Sequence, residues 1–268
     1  VNLSLVFGRW SSFDLADRSG WRQPTESHAM FCSFSPTPFD WNFELFGFRI
    51  RVHPMFWLLA LLFSHDFQNR RPPYMNMLLT GIGVSCIFVS ILVHELGHAF
   101  LIRYEGFRPE IVLHGFGGYA LYHPYRAISP GMKMLISFAG PGAGFIFYGI
   151  VILIKTQLMQ LQPGRVPYPV WYALGHLEYI NLWWGVFNLL PIYPLDGGQI
   201  ARVWMENRWR FSGLTNSLSI SIVLSAGMAL WSFHVSGNQL LSWNVMLFAS
   251  LCYENIQEYQ QLRFGHRW

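Results

Sequence analysis

His94, Glu95 and His98 stand at the end of an unbroken uncharged run covering residues 77–93, and no other feature constrains the fold as much. A run of that length approaches what an α-helix needs to cross a bilayer. Residues four apart on a helix share a face, so the two imidazoles can grip one metal ion between them. Glu95 then projects beside the ion. In the pattern His-Glu-x-x-His the carboxylate takes a proton from water at the metal, so the chemistry predicted is metal-assisted hydrolysis. The bland reading is a polar interruption of a helix. It is disfavoured because ionisable groups in mid-membrane cost on the order of several kcal/mol unless they meet a partner, an ion or water.

The rest of the chain agrees with a membrane setting. Hydrophobic residues make up 52% of it and charged residues 12%, with a positive mean hydropathy, an unusual balance for a water-soluble domain. Further uncharged runs cover 134–154, 179–195 and 211–253. The last is long enough for two spans joined by a polar turn at 234–239 around Gly237. A shorter apolar run, 52–65, adds another candidate. The expectation is an all-α polytopic membrane protein with about six transmembrane helices and a short β-strand or hairpin element on the cytoplasmic side.

Basic residues orient these spans. If the first runs outward, fourteen of the eighteen Lys and Arg residues fall on the inner side and four (Arg70, Arg71, Lys155 and Arg165) on the outer side. The split obeys the positive-inside rule and predicts cytoplasmic termini, with the cell membrane as location. His94 is then about 13 Å along its helix from the inner end marked by Arg103.

Two histidines leave a metal short of ligands. Asp196 is the candidate acid at matching depth, in the stretch Asn188-Leu-Leu-Pro191-Ile-Tyr-Pro194-Leu-Asp196-Gly197-Gly198. Pro191 and Pro194 each remove a helical donor and the glycine pair permits unusual dihedrals, so the helix should break around the carboxylate. Irregular backbone is tolerated in a membrane only when it is buried in protein or lines a wet cavity. The alternative is that Asp196 caps a helix continuing through Arg202.

Through HELGH in one span and NLLPIYPLDGG in a later one, the chain resembles the site-2 protease family of intramembrane zinc metalloproteases, over roughly residues 46–202. The resemblance implies one Zn²⁺ held by His94, His98 and Asp196, with Glu95 as catalytic acid and base. It implies cleavage of peptide bonds in or near transmembrane segments, as in regulated intramembrane proteolysis. A transmembrane protein substrate and the lipid bilayer are the implied partners, and nucleic acid is not one. Asn188 becomes a candidate for stabilising the oxyanion, with an interhelical hydrogen bond as its alternative. Many relatives have an asparagine where this chain has Gly144, so any polar role of that side chain is absent or supplied from elsewhere.

Period-two alternation over residues 46–52 reads as a short strand entering His53-Pro54. Residues 110–122 read as two extended arms; the family resemblance implies that Phe116, Gly117 and Gly118 belong to a strand offered to substrate, a plain surface hairpin being the alternative. His114, His123 and His176 read as solvated or capping histidines. The three cysteines, Cys32, Cys86 and Cys252, form neither a disulfide framework nor a metal box. Trp183 and Trp184 read as packing.

The expected organisation is an N-terminal extension over 1–45, with Met30 a candidate start, a catalytic core over 46–210 and a C-terminal transmembrane hairpin with a short tail over 211–268. The connection 104–131 is too short for an inserted PDZ-type domain, so the resemblance is to a short form of the family. Two other functions compete. One is a prenyl-protein type of membrane protease using Glu178 as third ligand; the other is a non-proteolytic metal-binding or transport protein.

Overall fold

Phe46 and Gly47 both adopt positive φ, 52° and 76°, the combination that closes a tight two-residue hairpin. In the computed structural model, β1 (Trp41–Leu45) and β2 (Phe48–Val52) pair antiparallel across that turn. The structure describes residues 36–64, 72–115, 117–161, 164–209, 212–237, 239 and 242–264. Met30, Cys32, Phe116 and most of the N-terminal extension lie outside them. Two expectations change here. The strand predicted from residue 46 starts at Phe48, because Phe46 serves the turn, and residues 41–45, assigned to the extension, form β1.

Two helices follow. α1 (Pro54–Ser64) and α2 (Pro73–Tyr104) both start on a proline, which lacks the amide hydrogen that a first helical turn leaves unused. α2 ends at Tyr104 with Glu105 as its C-cap, after which Gly106 turns the chain at φ 87°. β3 (Glu110–His114) then pairs parallel with β2, the helices supplying the crossover that parallel strands require. β4 (Gly117–Leu121) pairs antiparallel with β3, giving the order β1-β2-β3-β4 with β4 at one edge. The expected short β element is thus a four-stranded mixed sheet.

The alternation in β2 decides how the sheet sits. Phe48, Ile50 and Val52 are buried together with Ile111 and Leu113, and they pack on Phe56 and Ala60 of α1 and on Ile91, Leu92, Leu96 and Ala99 of α2. Taking a Phe, Ile, Val or Leu side chain out of water contributes roughly 1.5–3 kcal/mol. Leu96 lies inside the HELGH segment, so the same core that holds the sheet also holds the motif.

α3 (Pro130–Leu161), α4 (Tyr168–Asn188), α5 (Asp196–Arg208), α6 (Gly213–Val235) and α7 (Trp243–Phe264) complete the fold. α2 packs against α3 and α4, α3 also against α5, and α6 against α5 and α7. α2 and α3 approach closely at Gly97, where a β-carbon would fall 2.3 Å from the Ala139 carbonyl oxygen. Among the described residues, α2, α3 and α6 are long and apolar enough to cross a membrane, and the chain reads as an integral membrane protein. The expected break after the fourth helix is present: α4 stops at Asn188 and α5 begins at Asp196.

Candidate metal centre

Helix α2 brings His94, Glu95 and His98 into the interior, and all three are buried. Asp196 is buried too, as the first residue of α5, and the N-cap position before it is Leu195. The capping alternative therefore does not describe it. Its carboxylate turns to the histidines instead: His94 Nε2 lies 3.1 Å from Oδ2 and His98 Nε2 lies 3.4 Å from Oδ1. The two Nε2 atoms are 3.2 Å apart. Three ligand atoms, one from each residue, fall within 4.8 Å of one another.

Two neighbours prepare this cluster. The Ile136 carbonyl on α3 accepts a hydrogen bond from His98 Nδ1 at 2.7 Å, which leaves the Nε2 lone pair facing the cluster. Gly140, one turn further along α3, keeps the space clear. A β-carbon there would lie 2.1 Å from His98 Nε2 and 2.8 Å from His94 Nε2. Two imidazoles, one carboxylate and a cradle that only glycine leaves open fit a four-coordinate divalent ion with one position to spare.

A family model, peptidase family M50, matches residues 166–232. A zinc metalloprotease of Methanocaldococcus jannaschii is 31% identical over 207 residues, covering 76% of this chain and 55% of that protein. The chain is similar to peptidase family M50. Stage IV sporulation protein FB of Bacillus subtilis is 26% identical to this chain over 224 residues, 81% of the chain and 68% of that protein. The solved site-2 protease from Methanocaldococcus jannaschii shares its fold, with a TM-score of 0.55 at 24% identity over 82% of this chain and 95% of that one. The chain spans about half the length of three of the zinc metalloproteases it matches.

The remaining candidate residues lie around the cluster or away from it. Gly118 of β4 lies against Glu95, where a β-carbon would come within 2.6 Å of Glu95 Cγ. Gly117 lies beside Trp184, whose ring centroid is 6.5 Å from that of His94. Trp184, expected only to pack, thus stands between a metal-facing histidine and the sheet edge, while Trp183 is exposed. Nothing in their spacing distinguishes the two. Asn188 is buried at the end of α4, its amide donating to the Trp184 carbonyl at 2.9 Å. Glu178 pairs with Lys155 of α3 rather than with the histidines.

Asn181 is a residue that sequence reasoning missed. It is buried, its amide donates to Ser90 Oγ on α2 at 2.9 Å, and its backbone and side chain lie beside Gly144. Ser90, His94 and His98 succeed one another at intervals of four, so this bond sets α4 against the ligand face of α2. An asparagine inside an apolar run was the available signal. His114 also departs from expectation. It is buried in β3, where burial, with His53 nearby adding to it, pushes the imidazole down to about 4. His123 is exposed as expected, and His176 is half-buried on α4, its ring within hydrogen-bond distance of the Tyr172 carbonyl.

Proposed function

We propose that the chain is an intramembrane zinc metalloendopeptidase that hydrolyses peptide bonds in or near transmembrane segments of membrane proteins. The observation that carries this reading is the meeting of His94, His98 and Asp196 around a cleared cradle, with the buried carboxylate of Glu95 next in sequence. His94, His98 and Asp196 would hold one zinc ion. When bound, zinc supplies a Lewis acid that polarises a carbonyl oxygen and acidifies water near neutral pH.

Glu95 does the proton work. Its carboxylate accepts a proton from the attacking water and then delivers it to the leaving amine nitrogen, so one group serves as base and then as acid. β4 orients the substrate. It is an edge strand of the sheet among the described residues, and Gly118 sets that strand against Glu95. A transmembrane helix hides its carbonyls and must be held extended to be attacked, which strand pairing accomplishes. Gly117 and Gly118, with Phe116 next to them, are the residues proposed for that pairing. Asn188 has a second amide hydrogen beyond the one given to Trp184, and we assign it to the developing oxyanion.

The setting follows from charge and length. We infer about six spans, with α1, α4 and α7 joining the three longest apolar helices, and cytoplasmic termini in the cell membrane. Residues 46–210 form the catalytic core and 211–268 a C-terminal hairpin and tail. The test uses the full chain in detergent with a panel of single-span model substrates. Cleavage that a chelator abolishes and added zinc restores supports the assignment. Zinc binding without cleavage of any substrate would favour a non-proteolytic metal-binding or transport protein.

A further inference from the structure

Asp196 follows a seven-residue break between α4 and α5, and a carboxylate on such a segment needs something to hold it still. Tyr193 is where the holding occurs. Its backbone N–H donates to Ser221 Oγ of α6 at 3.0 Å, and its carbonyl accepts from Asn255 Nδ2 of α7 at 2.6 Å. Both partners are 1% exposed. The ring of Tyr193 lies under Arg202, whose guanidinium carbon is 5.0 Å from the ring centre. Arg202 in turn joins α5 to α7 through Glu258 at 3.0 Å. One residue of the break is therefore tied to both helices of the C-terminal hairpin.

The grip reaches Asp196 through backbone contact. A β-carbon at Gly198 would lie 2.4 Å from the Tyr193 nitrogen and 2.4 Å from the Ile192 carbonyl carbon. The first turn of α5, which begins with Asp196, thus rests directly on the residues that the hairpin holds. Ile192, fully buried with Phe248 and Leu251 of α7, closes the same contact from the apolar side. Unpaired backbone groups are costly in a membrane and any partner would relieve that cost. Two partners from two different helices do more, since they fix a position.

We propose that Asn255 and Ser221 are positioning residues for Asp196, and that the C-terminal hairpin sets the metal affinity of a site to which it contributes no ligand. This rests on the reading of His94, His98 and Asp196 as ligands. Outer contacts that orient a metal ligand typically change affinity by about 10- to 100-fold.

The experiment measures Zn²⁺ and Co²⁺ dissociation constants by competition with a chromophoric chelator, together with the Co²⁺ absorption spectrum and the thermal midpoint. It uses the full chain in detergent with Asn255→Asp, Ser221→Ala and, as control, Leu230→Ala on the exposed face of the same hairpin. The expected result is about tenfold weaker metal binding and an altered Co²⁺ spectrum for the first two, with Leu230→Ala at the parent value. Parent-like affinity and spectrum in folded Asn255→Asp or Ser221→Ala overturn the proposal, even if the melting point falls. Should Asn255→Asp not fold, Ser221→Ala decides the matter, since it removes a single hydroxyl. A parent chain that binds no metal would overturn the ligand reading itself.

Discussion

Gly140 faces His98 so closely that a β-carbon at residue 140 would lie 2.1 Å from Nε2, well inside the contact distance of about 3.5 Å at which non-bonded atoms attract. Gly140→Ala should therefore push the imidazole out of line and weaken metal binding at least about tenfold. Gly149→Ala on the same helix, where a β-carbon meets nothing within 4 Å, should match the parent. Metal content after dialysis, with helicity by circular dichroism, checks both. Equal metal retention by the two variants would mean that the ion does not bind between the histidines.

Gly118 stands in the same relation to Glu95 from the other side. A methyl group there would have three Glu95 atoms as its nearest neighbours, Cγ at 2.6 Å among them, and would displace the carboxylate. Gly118→Ala should keep its metal and lose turnover by about tenfold to a hundredfold, since a misplacement near 1 Å at a reacting group has that order of effect. A variant that loses metal instead would place residue 118 against the ligands.

Glu95→Gln preserves shape and removes the basic oxygen. Bound zinc should stay near the parent stoichiometry while the cleavage rate falls by at least about a hundredfold, within the range that positioned acid–base groups contribute. Single-turnover cleavage of a single-span substrate is the readout. A rate within tenfold of the parent would remove Glu95 from the role of base.

Glu178 meets Lys155 across α4 and α3, so Glu178→Gln should leave metal content and cleavage unchanged. Stability should fall by on the order of 1 kcal/mol, because Lys155 loses its partner while keeping partial access to solvent. Replacing both residues with methionine should recover most of that loss, since the apolar pair leaves no charge behind. Thermal melting in detergent follows the change. Loss of zinc from Glu178→Gln would instead make this glutamate a ligand.

Much of the site was legible in local pattern. His94 and His98 share a helix face by spacing alone, and Pro191, Pro194 and the glycine pair announce the break that α4 and α5 show on either side of Asp196. The sheet was less so. Alternation marked β2 but carried it two residues too far, because Phe46 and Gly47 satisfy a strand pattern and a hairpin turn equally well. β1 went unread: a five-residue segment with exposed and half-buried positions has little pattern until its partner is known. α4 and α7 also run beyond the apolar stretches that suggested them, α4 beginning at Tyr168 and α7 passing Glu254 and Glu258, since helical hydrogen bonding does not stop where hydropathy does.

The sequence by itself determined that a two-histidine motif sits in an apolar helix and that a carboxylate follows on a broken one, because helical periodicity and proline chemistry act within a few residues. Only the tertiary structure decided that Gly140 clears the cradle, that Gly118 presses on Glu95, that Asn181 rather than residue 144 presents the amide beside Ser90, and that Tyr193 is held by Ser221 and Asn255. These contacts join residues 23 to 91 positions apart on different elements. They arise from how helices and strands stack, which no local pattern of residues encodes.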